Sequence, residues 1–452
     1  MSLICETSEL VQSSVTSIFK APPTDATIIN REEFCVRTST TTDSGGDMEY
    51  IFPGNGVQWL DLSTFYVKFV AGVRWYDGTA LTDEHKVGPV NLFHLACFEG
   101  GHMKWKTTTV SSTTELMHDG YFKITPTFGL DAKKSHLELM GYVKDTAGHM
   151  DDTTGEKNKG LGERMNWFAN GKRRPFMGPL MFDGCHTERL IPPNVDVIIV
   201  LRRARPEKCL MAGMQKLTVD GKLTEVPPHF KLDIFRCEIF GERVQLLEST
   251  ADGLNKGLEL APARYFPTDS QTKKYTLSAG ISSYSIENIS VGKRPKRVTW
   301  GFVRNDAILG NYGLNPLNFQ HCNLTQTSLH FNGLPYPTIP FMPNYEEPNS
   351  DWVREYLSIF RSGGIHYGNQ GLDINWSDYP NGYCIYSVDM TPNRGASDSS
   401  QFNLIRRGTL QLEFTFAKEL EYPMSVIIFC EYDKKIEIDN DRNIYTNSGG
   451  VK

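Results

Sequence analysis

Three runs of positive charge are the first places to look for chemistry: Lys172-Arg173-Arg174, Arg202-Arg203-Ala204-Arg205 and Lys293-Arg294-Pro295-Lys296-Arg297. Grouped guanidinium groups can hold phosphate oxygens in a forked grip, and any of these runs would contact a nucleic acid that it faced. None is interleaved with the aromatic residues on which single strands stack, so solvated loops or ion pairs between subunits are the expected fate. Asp151-Asp152 and Glu346-Glu347 are adjacent carboxylates, but a hydrolytic pair is set across a cleft by the fold, not by adjacency; both read as solvated loop acid. Glu437-Ile438-Asp439-Asn440-Asp441 lacks the glycine and distal glutamate of a calcium loop. The 11 histidines include no pair at i, i+4, the spacing for two ligands on one helix face. No phosphate-binding glycine loop, nucleophile elbow or His-Glu-x-x-His motif occurs. The expectation is no catalytic residue, no cofactor and no metal.

The nine cysteines stand singly at 5, 35, 97, 185, 209, 237, 322, 384 and 430, with no Cys-x-x-Cys. That spacing suits reduced, mostly buried thiols better than a zinc site or a disulfide scaffold. A net charge of −6 excludes a coat that neutralises phosphate over its whole surface, so contact with a genome would be local. The N-terminus lacks a basic region followed by an apolar stretch, which predicts a chain that is not secreted. No apolar run is long enough for a membrane span.

The elements that would have to position such residues are mostly strands. At 452 residues the chain exceeds what one hydrophobic core organises, roughly 250–300 residues, so two domains are expected. Thr64–Val70 is β-branched and aromatic, and Phe230–Phe235 alternates apolar with polar as a half-buried strand does. Val195–Leu201 and Ser425–Tyr432 read as strands buried on both faces. Val298–Val303, Ser328–Phe331 and Thr409–Phe416 complete the style, and Asn332-Gly333 is a hairpin signal. Glu242–Leu260 reads as a short helix plus connector interrupted by Gly253 and Gly257. Asp351–Phe360 reads as a helix with Ser350 as N-cap and with Trp352, Tyr356 and Ile359 on one face. Many short strands with few helices point to β-sandwiches. A weak echo supports duplication: Gly88-Pro89-Val90-Asn91-Leu92-Phe93-His94 recurs, about half the chain later, as Asn315-Pro316-Leu317-Asn318-Phe319-Gln320-His321.

Several segments together resemble the major capsid proteins of polintons (Mavericks) and adintoviruses. They are Ser8-Glu9-Leu10, Phe19-Lys20-Ala21-Pro22-Pro23-Thr24, Val87–Phe93, Asp131–Leu137, Lys144–Asp151, Cys209–Gly213, Asn305-Asp306-Ala307, Gly310-Asn311-Tyr312, Asn315–Phe319, Pro343-Asn344-Tyr345, Gly382-Tyr383, Asp389–Pro392, Phe402–Gly408 and Ile436–Asp439. They run in order over nearly the whole chain. The resemblance implies an all-β double jelly roll, two tandem jelly-roll sandwiches with short helices in loops and linker, like the subunits of virophages and adenovirus hexons. It implies a homotrimer that forms a pseudo-hexameric capsomer of an icosahedral virion, with a penton protein as a further partner, assembled inside a host cell. The chain departs from the family pattern between Glu99 and Phe128 and from Lys172 to Cys185. That predicts disturbed packing of the first sandwich, as in a divergent endogenous copy put to a host role.

The expected layout is an arm over 1–46, a first sandwich over 47–241, a connector over 242–266, a second sandwich over 267–440 and a tail over 441–452. Assembly residues are expected on the arm (Phe19, Pro22, Pro23) and on the proline-rich stretch 334–349 (Pro335, Pro337, Pro343), with loop 145–174 as a second contact. The competing class is a carbohydrate-binding or carbohydrate-active β-sandwich, because jelly rolls host lectins and hydrolases too.

Overall fold

The computed structural model describes residues 14–19, 21–38, 46–54, 56–219, 222–398, 401–404 and 406–447. Cys5, Ser8-Glu9-Leu10, Lys20 and Ile405 lie outside them. Sixteen strands carry the architecture. The first eight are β1 (Ile28–Arg37), β2 (Met48–Phe52), β3 (Trp59–Trp75), β4 (Phe98–Trp105), β5 (Thr108–Thr113), β6 (Arg173–Pro179), β7 (Val197–Arg203) and β8 (Phe230–Leu246). The second eight are β9 (Thr268–Leu277), β10 (Ser283–Lys293), β11 (Arg297–Arg304), β12 (Leu324–Phe331), β13 (Leu334–Phe341), β14 (Ile385–Asp389), β15 (Arg407–Phe416) and β16 (Met424–Asp433).

The hydrogen-bonded order of the first set is β1-β8-β3-β6 facing β2-β7-β4-β5, and that of the second is β9-β16-β11-β14 facing β10-β15-β12-β13. Both halves follow the same rule: first, eighth, third and sixth strands in one sheet, second, seventh, fourth and fifth in the other. That is the jelly-roll order, written twice. The sequence echo falls at the same place in each half, in the connection between third and fourth strands.

Strand character follows the side chains. β8 alternates buried and open positions along its first half and sits between β1 and β3, with Ile234 opposite Ala71. β16 is buried at nine of its ten positions because it is central in its sheet and covered on both faces. β7, expected to be buried on both faces, alternates instead; it belongs to a sheet with one face outside the core. The edge strands are blunted. Ile28–Arg37, within the stretch read as an arm, pairs with β8 and carries Arg31, Glu32 and Glu33 outward. β13 carries Pro335, Pro337 and Pro340, which cannot donate to a ladder and are tolerated at an edge.

Four helices matter: α1 (Leu116–Ile124), α2 (Lys159–Met165), α3 (Glu248–Leu260) and α4 (Val353–Ser362). The Glu242–Leu260 reading needs correction at its start and at its glycines. Residues 242–246 are strand, and the helix runs unbroken through Gly253 and Gly257 to Leu260, at a cost of about 1 kcal/mol for each glycine. Ser350 does not cap α4; its hydroxyl donates to Glu347, while Asp351 Oδ1 accepts from Val353 N at 3.1 Å. The expected disturbance between 99 and 128 is absent. Gly100 and Gly101 allow a close backbone approach: a Cβ at Gly101 would lie 2.0 Å from the Val200 carbonyl oxygen. Met103, Trp105 and Phe122 are fully buried behind them.

One continuous apolar core runs through both sandwiches. At the seam α1 reaches from the first into the second: Phe122 lies 5.3 Å from Phe319 and 5.8 Å from Phe429, and Tyr121 stacks on Phe319 at 5.2 Å. Polar groups cross with it. Asp183 accepts from Lys123 Nζ and from Ser270 N, each at 2.7 Å, and Lys434 Nζ donates to the Val110 carbonyl at 2.6 Å and to Asp269 at 2.8 Å.

Asp119 on α1 accepts from the Thr272 hydroxyl. Burial pushes its carboxyl up to about 6, with Lys123 only partly opposing. An unfolded chain releases this proton near 3.8, so the group's favourable contribution is full below that pH and is lost as pH rises through 6. Asp119→Asn should therefore flatten the acid-to-neutral slope. In urea melts it should gain about 1–3 kcal/mol relative to the native chain between pH 4 and pH 7.5. An equal difference at both pH values would contradict this assignment.

Candidate functional site

The residues picked out for chemistry are mostly engaged in holding the fold. Burial works to raise the Asp152 carboxyl, but the Thr154 hydroxyl and the backbone of Asn158, Lys157 and Thr154 all donate to it and keep it down at about 2. Glu346 lies 3.4 Å from Lys418. Asp439 closes its own turn by accepting from Asn443 and Tyr445. Burial pushes the Cys209, Cys237 and Cys430 thiols up to about 12 and Cys384 to about 11, so they are protonated and unreactive near neutrality. Among the described residues no group of three His, Cys, Asp or Glu is placed to hold a metal ion.

Asp151 is the exception to the solvated-acid reading. Its carboxylate accepts from Asn315 N and from Asn318 Nδ2, both at 2.7 Å, and burial raises its pKa. It belongs to a clamp between the sandwiches. Asp145, 1% exposed, accepts from Arg164 Nη2 at 2.6 Å, Asn158 Nδ2 at 2.9 Å and Asn315 Nδ2 at 3.1 Å. Its carbonyl accepts from the Tyr383 hydroxyl at 2.7 Å. Arg164, fully buried, also donates to the carbonyls of Pro89 and Val143. Asn158 further caps α2 by accepting from Leu161 N at 3.3 Å.

The two copies of the sequence echo therefore grip one segment from opposite sides. Pro89 accepts from Arg164, and Asn91 Oδ1 accepts from Val143 N at 3.0 Å. Asn315 and Asn318, from the other copy, bind Asp145 and Asp151. The echo's histidines both end against rings, His94 5.6 Å from Phe69 and His321 4.3 Å from Tyr345. Loop 145–174, expected to face a neighbouring subunit, thus spends its first part holding this chain's own halves together.

The expected assembly residues separate into two groups. Phe19 is 96% exposed, Ile18 and Val15 are exposed beside it, and Pro22 and Pro23 continue an exposed segment without secondary structure. By contrast Pro335 and Pro337 are half-buried in β13 and Pro343 is buried, so the proline stretch is partly edge strand and partly interior. Sequence reasoning missed the apolar surface beside it. Ile339 on β13, Met342 just after it, and Val353 and Leu357 on α4 are exposed, and Arg354 ties the strand to the helix by donating to the carbonyls of Ile339 and Pro340 at 3.0 and 2.9 Å. The signal available was the clean apolar stripe of the helix, whose other side, through Ile359, enters the core.

The basic runs also disperse. Arg173 lies over Phe235 and Arg174 over Trp167, at 4.0 and 3.6 Å from the ring centres. Arg203 and Arg205 donate to the carbonyls of Leu232 and Leu309. Arg297 forms a two-pronged pair with Glu431.

No protein-family model matches the chain. It is 21% identical to an uncharacterised Caenorhabditis elegans protein in an alignment of 447 residues that covers 94% of this chain and 99% of that one. Solved structures share its fold at low identity. A chain of the Sputnik virophage, seen by cryo-EM, matches with a TM-score of 0.62 and 11% identity over 100% of this chain and 95% of its own. VP54 of PBCV-1 matches at 0.58 and 11%, covering 95% of this chain and 99% of its own. The mavirus major capsid protein matches at 0.52 and 11%, covering 99% and 97%. The likeness is one of fold: the double jelly roll of viral major capsid proteins, met end to end.

Proposed function

We propose that this chain is a structural subunit of a viral-type protein shell, three copies of which form a pseudo-hexameric capsomer. The observation that supports it most is the doubled strand order on one continuous core. Two like sandwiches clamped side by side give a trimer six similar wedges, so threefold association fills a sixfold position in a closed lattice. The similarity to capsid proteins over whole chains supports the same reading, and the ordered resemblance favours the polinton and adintovirus kind. In this reading the virion is its destination, a penton protein its second partner, and its chemistry is that of surfaces, without catalysis.

The exposed arm around Phe19 and the apolar patch on β13 and α4 would be covered in the trimer, where obligate contacts bury on the order of 2,000–5,000 Å². Light scattering on the purified full chain should give three times the 51.1 kDa of one copy. Phe19→Asp should shift the population toward monomer by about 2 kcal/mol or more per contact, as for a buried aromatic anchor. A monomeric native chain that binds oligosaccharide would replace this reading with the lectin-like one.

A further inference from the structure

Arginines far apart in sequence converge at the second sandwich. A cleft of about 430 Å³ opens between α4, β13 and the β10–β11 and β14–β15 connections, and five arginines line it: Arg294, Arg354, Arg361, Arg394 and Arg406. The two connections lie at one end of the sandwich, because successive jelly-roll strands run antiparallel. Asp389 is the one carboxylate in the lining. Its oxygens are already used, accepting from Thr391 N at 2.8 Å, Thr391 Oγ1 at 2.6 Å and Ala396 N at 3.1 Å.

The arginines themselves are short of counter-charge. Among the described residues none of the five makes an ion pair, whereas Arg297, three residues from Arg294, is paired with Glu431. Arg294 is the most telling. It is 8% exposed, yet its guanidinium meets only the faces of Phe331 and Tyr336, at 5.9 and 6.0 Å from the ring centres. Four more guanidinium groups line the same cleft, and like charges gathered there repel one another. An anion in the cleft relieves that repulsion.

We infer that this cleft binds an anion carrying two or more phosphate groups. Guanidinium forks match phosphate oxygens two at a time, and the cleft's volume lies in the range of small-ligand sites. Five guanidinium groups against the one carboxylate of the lining leave more positive charge than a ligand with a single carboxylate would balance. The inference rests on the geometry of one chain and not on the shell reading; of the four apolar residues which that reading covers, Leu357 alone also lines the cleft. The same chemistry can be presented by a free oligophosphate or by consecutive phosphates of a nucleic-acid backbone.

The test uses the full chain, titrated calorimetrically with inorganic tripolyphosphate at near-physiological salt, then with a short single-stranded oligodeoxynucleotide in competition. One tripolyphosphate per chain is expected, weakened at least about tenfold by Arg361→Gln with Arg394→Gln, an exposed pair whose loss leaves the fold alone. Arg202→Gln, on a different surface, should change nothing. Arg294→Gln should abolish binding, with circular dichroism to show that the variant is folded. Displacement by the oligonucleotide would identify a nucleic-acid backbone as the source, and its failure to compete a free oligophosphate. No binding at millimolar tripolyphosphate, or binding indifferent to the Arg361 and Arg394 changes, would overturn the inference.

Discussion

Asp145→Ala is expected to cost about 3–5 kcal/mol of stability, the usual penalty for breaking a buried ion pair from one side. The reason lies in what remains. Arg164 is fully buried, and Asp145 is its carboxylate partner, at 2.6 Å. Removing the carboxylate leaves a guanidinium charge with only the carbonyls of Pro89 and Val143. Asn158 and Asn315 each lose an acceptor at the same time. Asp145→Asn keeps the shape but not the charge, so most of the loss should persist in it. Urea denaturation at neutral pH measures both. A loss below about 1 kcal/mol in Asp145→Ala, the scale of an exposed pair, would mean that water reaches Arg164 and that the clamp is not buried as described.

Phe122→Ala should cost a similar amount, about 3–5 kcal/mol, as deletion of a buried aromatic ring does. Its further consequence is on cooperativity. Phe122 belongs to the first sandwich by sequence, but its ring packs against Phe319 and Phe429 of the second. With the ring gone, the seam loses contact area while each sandwich keeps its own sheets. Scanning calorimetry is expected to show the native chain melting in one transition and the variant in two. Trp300→Ala provides the contrast, because Trp300 is buried within the second sandwich and packs on its Tyr386 and Phe341. That variant should melt earlier without splitting the transition. Splitting in both variants, or in neither, would show that Phe122 does not couple the halves.

Legibility differs from element to element for physical reasons. Phe230–Phe235 and Thr409–Phe416 were readable because a strand's two faces alternate with every residue, so half-burial writes itself into five or six consecutive positions. Asn332-Gly333 was readable because the turn needs positive φ at both residues, and they adopt 52° and 75°. Leu334–Phe341 was not: its prolines resemble a loop until the edge position that tolerates them is known. The glycines of α3 and the Gly100-Gly101 pair misled for a related reason. The first lie in open space and the second against a carbonyl, and composition does not distinguish the two.

Burial of charge was the least readable property. Asp151 looks like any acid in a polar loop, and the residues that bury it, Asn315 and Asn318, lie on the other sandwich. The arginine cleft draws on four separate segments, so no window of sequence contains it. The cluster at 293–297 shows the limit sharply, since neighbours in one run end with a buried pair at Arg297 and an unpaired group at Arg294.

By itself, then, the order of residues pointed to two sandwiches of strands, offered a weak echo between the halves, and contained no familiar catalytic motif. These follow from periodicity, turn chemistry and spacing, which act over a few neighbouring residues. Only the tertiary structure decided that the sandwiches share a core, that Asn315 and Tyr383 of the second reach Asp145 of the first, and that five arginines meet in one cleft. Coulomb and desolvation energies depend on distance in space and on exclusion of water, and both are set by segments that the chain brings together from far apart.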